Sequence, residues 1–339
     1  MMKMPTPKPP KQTIKSFTRR LGDQPALAYN DFIDWALYDP QTGYYQSDRV
    51  RVGSQPGSDF YTSGKMGRLW GELIVSSCEQ ILGRESLSSY TFVEIAAEPH
   101  TSTLSEIDHP FAEVQIIRLN SPLQIPPHSI VFCNEWLDAQ PFRRFQYSAK
   151  DQCWNELGVR IEEDFLTETV LDAPQDPPHI LPDQSKDGYI IDWPSGSIRS
   201  LQSLVHLPWN GLFLTFDYGL PLITLLNDRP EGTARGYWRH QMVTDLLARP
   251  GEQDITCHLC WDVLSETLNS GGFDQVKIQT QESFLLNFAN QRIKKIFEQK
   301  KDGLHEEMQA LRELIHPAHL GHGIQALWGR RKSSSSSQG

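Results

Sequence analysis

Four short apolar runs constrain the fold of this chain more than any other feature of its sequence. Each has the length of a β-strand and is apolar at almost every position, which is typical of strands buried on both faces of a sheet. Such sheets are mostly parallel and are covered by helices. The sequence therefore predicts an α/β fold with a mostly parallel central sheet, flanking helices and a ligand crevice at the carboxyl ends of the strands. The runs are TFVEIA (Thr91 to Ala96), VQIIRL (Val114 to Leu119), IVFC (Ile130 to Cys133) and GLFLTF (Gly211 to Phe216).

The chain between the third and fourth runs differs from these strands. Phe142 to Tyr147 and Trp154 to Ile161 are more alternating, as in an antiparallel hairpin with one solvated face. We therefore predict a hairpin and helical subdomain inserted into the main domain. The insertions are expected at about 142–187 and 220–256, within a domain that covers 23–329.

Both ends of the chain are predicted to be disordered. Residues 1–22 are basic, with no acid before Asp23, and prolines up to Pro10 oppose the amphipathic helix of an organellar presequence. We interpret this segment as a disordered basic arm. Residues 330–339 contain five consecutive serines and are predicted to form a disordered tail.

The charge balance and the cysteines limit the partners and the compartment. With 42 acidic and 32 basic residues the net charge is −10, so there is no basic excess for a nucleic-acid backbone. No apolar run approaches the roughly 18 residues of a membrane span, and no membrane partner is expected. The five cysteines are scattered and odd in number, which favours a reducing compartment. We therefore expect a cytoplasmic protein.

Cys257-His258-x-Cys260 has residue types that bind zinc or form a redox pair. A single such motif without a second pair of ligands is weak evidence for a metal site. We therefore predict no metal.

Glu94 places an acid inside the first apolar run, which is costly unless the carboxylate lies at the strand end and finds a partner. From about residue 27 to 330, a series of motifs resembles, in its order, the MidA family of class I S-adenosylmethionine-dependent methyltransferases. That family includes the mitochondrial complex I assembly methyltransferase and bacterial relatives. The motifs are Pro40-x-x-Gly43-Tyr44-Tyr45, Asp59-Phe60-Tyr61-Thr62-Ser63, Gly71-Glu72-Leu73, Phe92-Val93-Glu94-Ile95, Asn134-Glu135-x-x-Asp138-Ala139-x-Pro141, Asp217-Tyr218-Gly219, Gly232-Thr233-x-Arg235-Gly236, His240, and Pro250-Gly251-x-x-Asp254-Ile255-Thr256-x-His258.

The resemblance implies a Rossmann-like class I methyltransferase fold, S-adenosylmethionine as cofactor and arginine of an acceptor protein as substrate, with a homodimer as one possible assembly. Glu135 and Asp138 are the acids expected to hold a guanidinium. The alternative is structural: Asn134 and Glu135 satisfy loop backbone groups, Asp138 caps the next helix and Asp217 is a turn acid. The full set of candidates is Glu135, Asp138, Asp217, Arg235 and His240 for catalysis, and Asp59, Thr62, Ser63, Glu94, Ala96, Glu98 and Asn134 for the cofactor.

The cofactor motif itself departs from the family pattern of glycines after the acid. The residues that follow Glu94 include no glycine up to Ser102, and Pro99 restricts the backbone. Arg118 ends the second run, where the family has an acid for the ribose hydroxyls, although Glu98 could take over that contact. Only about 20 residues separate Glu94 from Val114, so the intervening helix should be short or absent. The alternative function is therefore a catalytically inactive scaffold or assembly factor, favoured if Pro99 or Arg118 fills the crevice.

Overall fold

The computed structural model describes residues 8–46, 67–83, 85–173, 176–298 and 304–332. The α-helices of these residues are α1 (Lys11–Leu21), α2 (Tyr29–Tyr38), α3 (Gly67–Leu82), α4 (Ser195–His206), α5 (Leu222–Asn227), α6 (Trp261–Ser270), α7 (Gln281–Phe288), α8 (Asn290–Glu298) and α9 (Leu304–Ile315). None of these helices is both long and apolar enough to cross a lipid bilayer.

The strands of the same residues form several sheets. They are β1 (Leu27–Ala28), β2 (Thr91–Ile95), β3 (Glu113–Ile117), β4 (His128–Asn134), β5 (Arg143–Ser148), β6 (Cys153–Glu162), β7 (Phe165–Val170), β8 (Ile190–Trp193), β9 (Asn210–Asp217), β10 (Gly219–Leu220), β11 (Arg235–Trp238), β12 (Gln241–Val243), β13 (Asp254–Thr256), β14 (Leu259–Cys260), β15 (Asp274–Thr280) and β16 (Gln325–Arg331).

The chain divides into two compact units. The first contains the described residues of Met1–Tyr61, Leu137–Arg199 and Leu220–Cys260. The second contains those of Thr62–Trp136, Ser200–Gly219 and Trp261–Gly339.

A six-stranded mixed sheet forms the centre of the second unit, in the order β15-β16-β9-β4-β2-β3. Strands β3, β2, β4 and β9 are parallel to one another, whereas β16 is antiparallel to β9 and β15 is antiparallel to β16. These four parallel strands are the four apolar runs, so the predicted parallel arrangement is confirmed. Strands β2, β4 and β9 are buried over nearly their whole length, whereas β3 is an edge strand in which only Ile117 is buried, so the prediction of burial on both faces is wrong for that run. Residues 96–112, which join β2 to β3, contain turns and no helix, as their short length predicted.

Aromatic side chains pack the helices of the second unit against this sheet. The ring of Trp70 on α3 meets the ring of Phe216 on β9 edge-on, with centroids 4.9 Å apart. Phe284 on α7 contacts the same ring at 5.2 Å. All three side chains are buried, and rings of this size contribute much of a core's stability. The packing therefore holds the carboxyl end of β9 in place.

Gly71 allows α3 to approach the connection between β2 and β3 closely. A Cβ at this position would lie 2.3 Å from the carbonyl oxygen of Thr103, far inside van der Waals contact. Alanine favours helices over glycine by roughly 1 kcal/mol, but here its methyl group would displace backbone. The Gly71-Glu72-Leu73 motif is thus explained by packing.

The first unit has an antiparallel sheet in the order β1-β6-β5-β8, with β7 also paired to β6. The predicted hairpin is β5 and β6, in which Tyr147 pairs with Trp154. A smaller sheet has the order β12-β11-β13. The segments predicted as insertions, 142–187 and 220–256, lie within this unit. The amino-terminal helices α1 and α2 lie there too, a grouping that the sequence did not predict.

The prediction of a disordered arm over residues 1–22 is wrong from Lys11 onwards, because α1 begins directly after Pro10. Proline is well tolerated at the start of a helix. The helix is held by its apolar face: Phe17 meets the ring of Trp35 at 5.0 Å, and Ser16 Oγ accepts a hydrogen bond from the Trp35 indole at 3.0 Å. Residues 1–7 lie outside the described residues.

The predicted disordered tail, 330–339, is wrong at its start, since Arg330 and Arg331 complete β16. The guanidinium of Arg331 donates to the carbonyl oxygens of Val205, Leu207 and Gly271 at 2.6, 2.7 and 3.3 Å. These bonds extend the strand beyond its apolar part. The serines lie outside the described residues.

Candidate functional site

Six of the predicted site residues lie at one edge of the sheet in the second unit. Glu94 lies near the end of β2, and Ala96 and Glu98 follow that strand. Asn134 ends β4, and Glu135 comes next. Asp217 ends β9. Because β2, β4 and β9 are neighbours and parallel, their carboxyl ends form the edge where α/β sheets bind ligands.

The turn after β2 keeps a glycine-like backbone without glycine. Ala96 has a φ of 63°, in the left-handed region that glycine adopts without strain. Its amide donates to the carbonyl oxygen of Ile117 at 2.8 Å, which ties the turn to β3. Ala96 and Pro99 are both exposed, so Pro99 does not fill the space above this turn.

Replacing Ala96 with glycine should stabilise the protein. The left-handed conformation costs an L-residue roughly 1 kcal/mol, and we expect Ala96→Gly to recover about 0.5–1 kcal/mol of unfolding free energy. Ala97 does not have a positive φ, so the matched control Ala97→Gly should lose about 0.5–1 kcal/mol through backbone entropy. Guanidinium denaturation of both variants checks this prediction, and a loss in both would contradict it.

Among the residues that the structure describes, Thr103 alone makes hydrogen bonds to the carboxylate of Glu94. The amide of Thr103 donates to its two oxygens at 3.1 and 2.9 Å, and the Thr103 hydroxyl donates to Oε1 at 2.7 Å. Burial raises the pKa of Glu94 above the usual carboxyl value, against the opposing effects of the Thr103 hydrogen bonds and the Arg118 charge. Glu94 therefore anchors the loop between β2 and β3. Its hydrogen bonds with Thr103 offset the free-energy cost of burying an acid in an apolar strand.

This raised pKa predicts a pH dependence of stability. As the pH rises above the ordinary glutamate pKa, Glu94 loses its proton first in the unfolded chain, so the free energy of unfolding should fall until the folded-state pKa is passed. Glu94→Gln removes this contribution while retaining an acceptor for Thr103. We expect the variant to gain stability relative to the wild type as the pH rises through that window. The free energy of unfolding of both proteins is measured by denaturation from pH 4 to 8. A difference between them that stays constant over this range would contradict the prediction.

Asn134 and Glu135 form a strained corner at the end of β4. Asn134 Nδ2 donates to Glu135 Oε1 at 3.0 Å, whereas the buried Oδ1 of Asn134 has no hydrogen-bond partner within the described part of the chain. Glu135 has a φ of 49°, and its amide donates to the carbonyl oxygen of Phe216 at 2.8 Å. Strained non-glycine residues cluster at functional sites, and an unpaired buried acceptor is costly unless a ligand satisfies it.

Asp217 is fully buried, and its Oδ1 accepts a hydrogen bond from the amide of Tyr218 at 2.8 Å. Gly219 is required beside it, because a Cβ there would lie 2.4 Å from the indole of Trp261. Both contacts agree with the structural alternative for this motif, a turn acid beside a necessary glycine. A catalytic role for Asp217 stays a prediction.

Asp138 belongs to the first unit and lies near a pair of tyrosines. The rings of Tyr38 and Tyr45 stack with centroids 5.4 Å apart, and their hydroxyls donate to the Ala139 carbonyl at 2.9 Å and to Asp254 Oδ1 at 3.0 Å. Burial raises the pKa of Tyr38, with further contributions from the charges of Asp254 and Asp138. Asp138 does not cap a helix, as the alternative supposed, because bends and turns follow it.

Arg235 and His240 also belong to the first unit, at opposite ends of β11. Arg235 begins the strand, and its Nη1 donates to the Ala234 carbonyl at 2.6 Å. His240 is exposed in the two-residue turn that joins β11 to β12, where Arg239 and His240 have φ values of 49° and 61°. Asn-Gly is the usual sequence of such a turn, so this turn is strained. The structure does not bring Arg235 and His240 together.

The sequence did not single out Asp192, a buried acid that supports the turn before Arg235. Its Oδ2 accepts from the amides of Thr233 and Ala234 at 2.7 and 2.8 Å, and its Oδ1 pairs with Arg144 Nη1 at 2.5 Å. Asp192 interrupts the apolar run IIDW, the same signal that pointed to Glu94. The predicted residues Asp59, Thr62 and Ser63 lie outside the described residues.

Comparisons with solved structures show proteins with a similar fold. A COG1565 superfamily protein of Burkholderia thailandensis, bound to S-adenosyl-homocysteine, has a TM-score of 0.79 at 20% identity, over 96% of this chain and 95% of that one. A second structure, a native crystal form of a COG1565 superfamily protein from the same organism, has a TM-score of 0.75 at 19% identity over the same shares. These likenesses show a shared fold. No curated protein matches the chain.

The mixed sheet, the predicted site residues at its carboxyl edge and the shared fold define an α/β protein whose fold is similar to that of the two Burkholderia structures. The chain belongs to the family described as "Putative S-adenosyl-L-methionine-dependent methyltransferase", whose model matches residues 85–278. This is the group that the order of the motifs indicated.

Proposed function

We propose that this chain transfers a methyl group from S-adenosylmethionine to arginine of an acceptor protein, in a Rossmann-like class I site with a degenerate glycine motif. The observation that carries the proposal is the corner at the end of β4, where the buried Asn134 Oδ1 has no partner within the described residues and lies next to the strained Glu135. The arginine acceptor follows from the sequence resemblance.

The residues at this edge suit an adenosyl cofactor for two reasons, the backbone conformation of the turn and the hydrogen-bonding groups that are available. Ala96 adopts the conformation for which such turns normally use glycine, and it is exposed. Asn134 offers a buried acceptor. With Glu94 engaged by Thr103, we assign the ribose to Glu98 and Arg118, and we assign the remaining polar groups of the cofactor to Asn134.

When bound, S-adenosylmethionine supplies a methyl group on a sulfonium, ready for displacement by a nucleophile. The protein then mainly has to position the nucleophile and exclude water. Glu135 is the residue that we assign to the acceptor, because its carboxylate can hold a guanidinium through charge-assisted hydrogen bonds and take up its proton. Asp138, Arg235 and His240 keep their predicted roles on the basis of the resemblance.

Calorimetric titration of the full chain with S-adenosylhomocysteine tests the cofactor half of the proposal. We expect saturable binding to one site. The acceptor half is tested with tritiated S-adenosylmethionine and decapeptides that contain either arginine or lysine at one position. Label in the arginine peptides alone supports the proposal, whereas binding without label in any arginine peptide would reject arginine as the acceptor.

A scaffold without catalytic activity is the second candidate, and one observation favours it. All of the hydrogen bonds that the described residues make to Glu94 come from Thr103, so this acid serves the loop. A scaffold predicts no thermal stabilisation at millimolar S-adenosylhomocysteine. A shift in the melting temperature at that concentration would reject it.

A further inference from the structure

Arg118 follows the tip of β3, beside the turn that follows β2. It directly follows Ile117, the last residue of β3, which pairs with Ile95 of β2 and whose carbonyl accepts the hydrogen bond from Ala96. Arg118 Nε donates to the carbonyl oxygen of Glu98 at 3.3 Å. The Arg118 side chain therefore contacts the glycine-free turn, and the residue before it is tied to the same turn.

The guanidinium of Arg118 keeps donors available beside this turn. The side chain is only half-buried, and within the described residues its Nη1 and Nη2 atoms make no hydrogen bond or ion pair, while the nearby Glu94 carboxylate is engaged by Thr103. A guanidinium has five N–H donors and no acceptor. The positively charged Nη1 and Nη2 groups of Arg118 can therefore donate hydrogen bonds to a ligand.

In α/β sheets that bind adenosine cofactors, an acid near the second strand tip accepts hydrogen bonds from the ribose hydroxyls, and an arginine instead accommodates a ribose phosphate. A hydroxyl oxygen can also accept a hydrogen bond, so an arginine is compatible with an unmodified ribose. An arginine and an acid differ in the ribose groups that they can bind. The arginine needs only an oxygen atom that accepts a hydrogen bond, and it prefers an anionic one.

We propose that Arg118 reverses the polarity of recognition at the 2′ position of the ribose, so that the 2′ oxygen of an adenosine ligand accepts a hydrogen bond from the guanidinium while the 3′-hydroxyl is left to Glu98. This inference rests on the proposed cofactor site and names the residue that sets its ligand preference. Adenosine 2′-phosphate then binds more tightly than adenosine, and 2′-O-methyladenosine, which has lost the hydroxyl proton, binds about as well as adenosine.

Direct calorimetric titration of the full chain with these three compounds tests the inference. A hydrogen bond to a charged group predicts about 10-fold or greater preference for adenosine 2′-phosphate over adenosine. Arg118→Gln should abolish this preference and Arg118→Lys should retain part of it. Arg312→Gln, which removes an exposed arginine of α9, should leave the preference intact. Circular dichroism confirms that each variant is folded.

Equal affinity for adenosine and its 2′-phosphate, a preference that survives Arg118→Gln, or no binding of either compound would overturn the inference. The proposed function is judged separately, by S-adenosylhomocysteine. Binding of S-adenosylhomocysteine without the phosphate preference rejects only the role of Arg118. A phosphate preference without S-adenosylhomocysteine binding rejects only the methyltransferase proposal.

Discussion

Asp192→Ala should destabilise the protein by about 3–5 kcal/mol, the usual cost of breaking a buried ion pair. The Asp192 side chain is fully buried and that of Arg144 is 12% exposed. The loss of the carboxylate leaves the cation with Glu168, whose Oε2 lies 3.2 Å from Arg144 Nε. It also leaves the amides of Thr233 and Ala234 without their acceptor. Urea denaturation measures the change.

The matched control is Glu162→Ala, which breaks an ion pair with Arg160. Both of those side chains are about half exposed, at 48% and 46%, and exposed pairs contribute roughly 0–1 kcal/mol. Equal losses in Asp192→Ala and Glu162→Ala would show that burial does not decide the energetics. Because Asp192 holds the turn before Arg235, its loss should also expose that turn to proteolysis.

Glu135→Gln should reduce methyl transfer by about 100-fold or more, the contribution typical of a positioned acid or base. Glutamine keeps an oxygen for the hydrogen bond from Asn134 Nδ2, so the corner at the end of β4 should remain in place. The affinity for S-adenosylhomocysteine should therefore be nearly unchanged. Single-turnover labelling of an arginine peptide measures the rate, and calorimetry measures the affinity.

Glu113→Gln is the matched control, since Glu113 is an exposed acid at the opposite end of the same sheet. It should leave both quantities unchanged. A parallel loss of rate and affinity in Glu135→Gln would contradict a role on the acceptor, because it would assign the residue to cofactor binding or to folding.

Strands β2, β4 and β9 of the second unit were predictable from the sequence because burial on both faces requires a run of apolar residues without alternation. The hairpin of β5 and β6 was predictable for the complementary reason, since one solvated face produces alternation. Helix α1 was missed because its stability comes from contacts with Trp35, which composition does not reveal. The strand residues Arg330 and Arg331 were missed because carbonyl oxygens distant in sequence hold them.

The candidate site was predictable only where a residue conflicts with its surroundings. Glu94 attracted attention as an acid in an apolar strand, and Asp192 carries the same signal in IIDW. The left-handed conformation of Ala96 could not be predicted from the sequence, because alanine normally avoids that conformation. That the Nη atoms of Arg118 have no partner among the described residues could not be foreseen either, since the sequence does not show what a side chain fails to contact.

A crystal structure with S-adenosylhomocysteine should show that the carboxyl tips of β2, β3 and β4 hold an adenosyl group without glycines. We expect ligand density in contact with Ala96, Asn134 and Arg118, with the Ala96 turn unchanged. An empty edge at saturating ligand, or ligand bound elsewhere on the chain, would contradict this expectation.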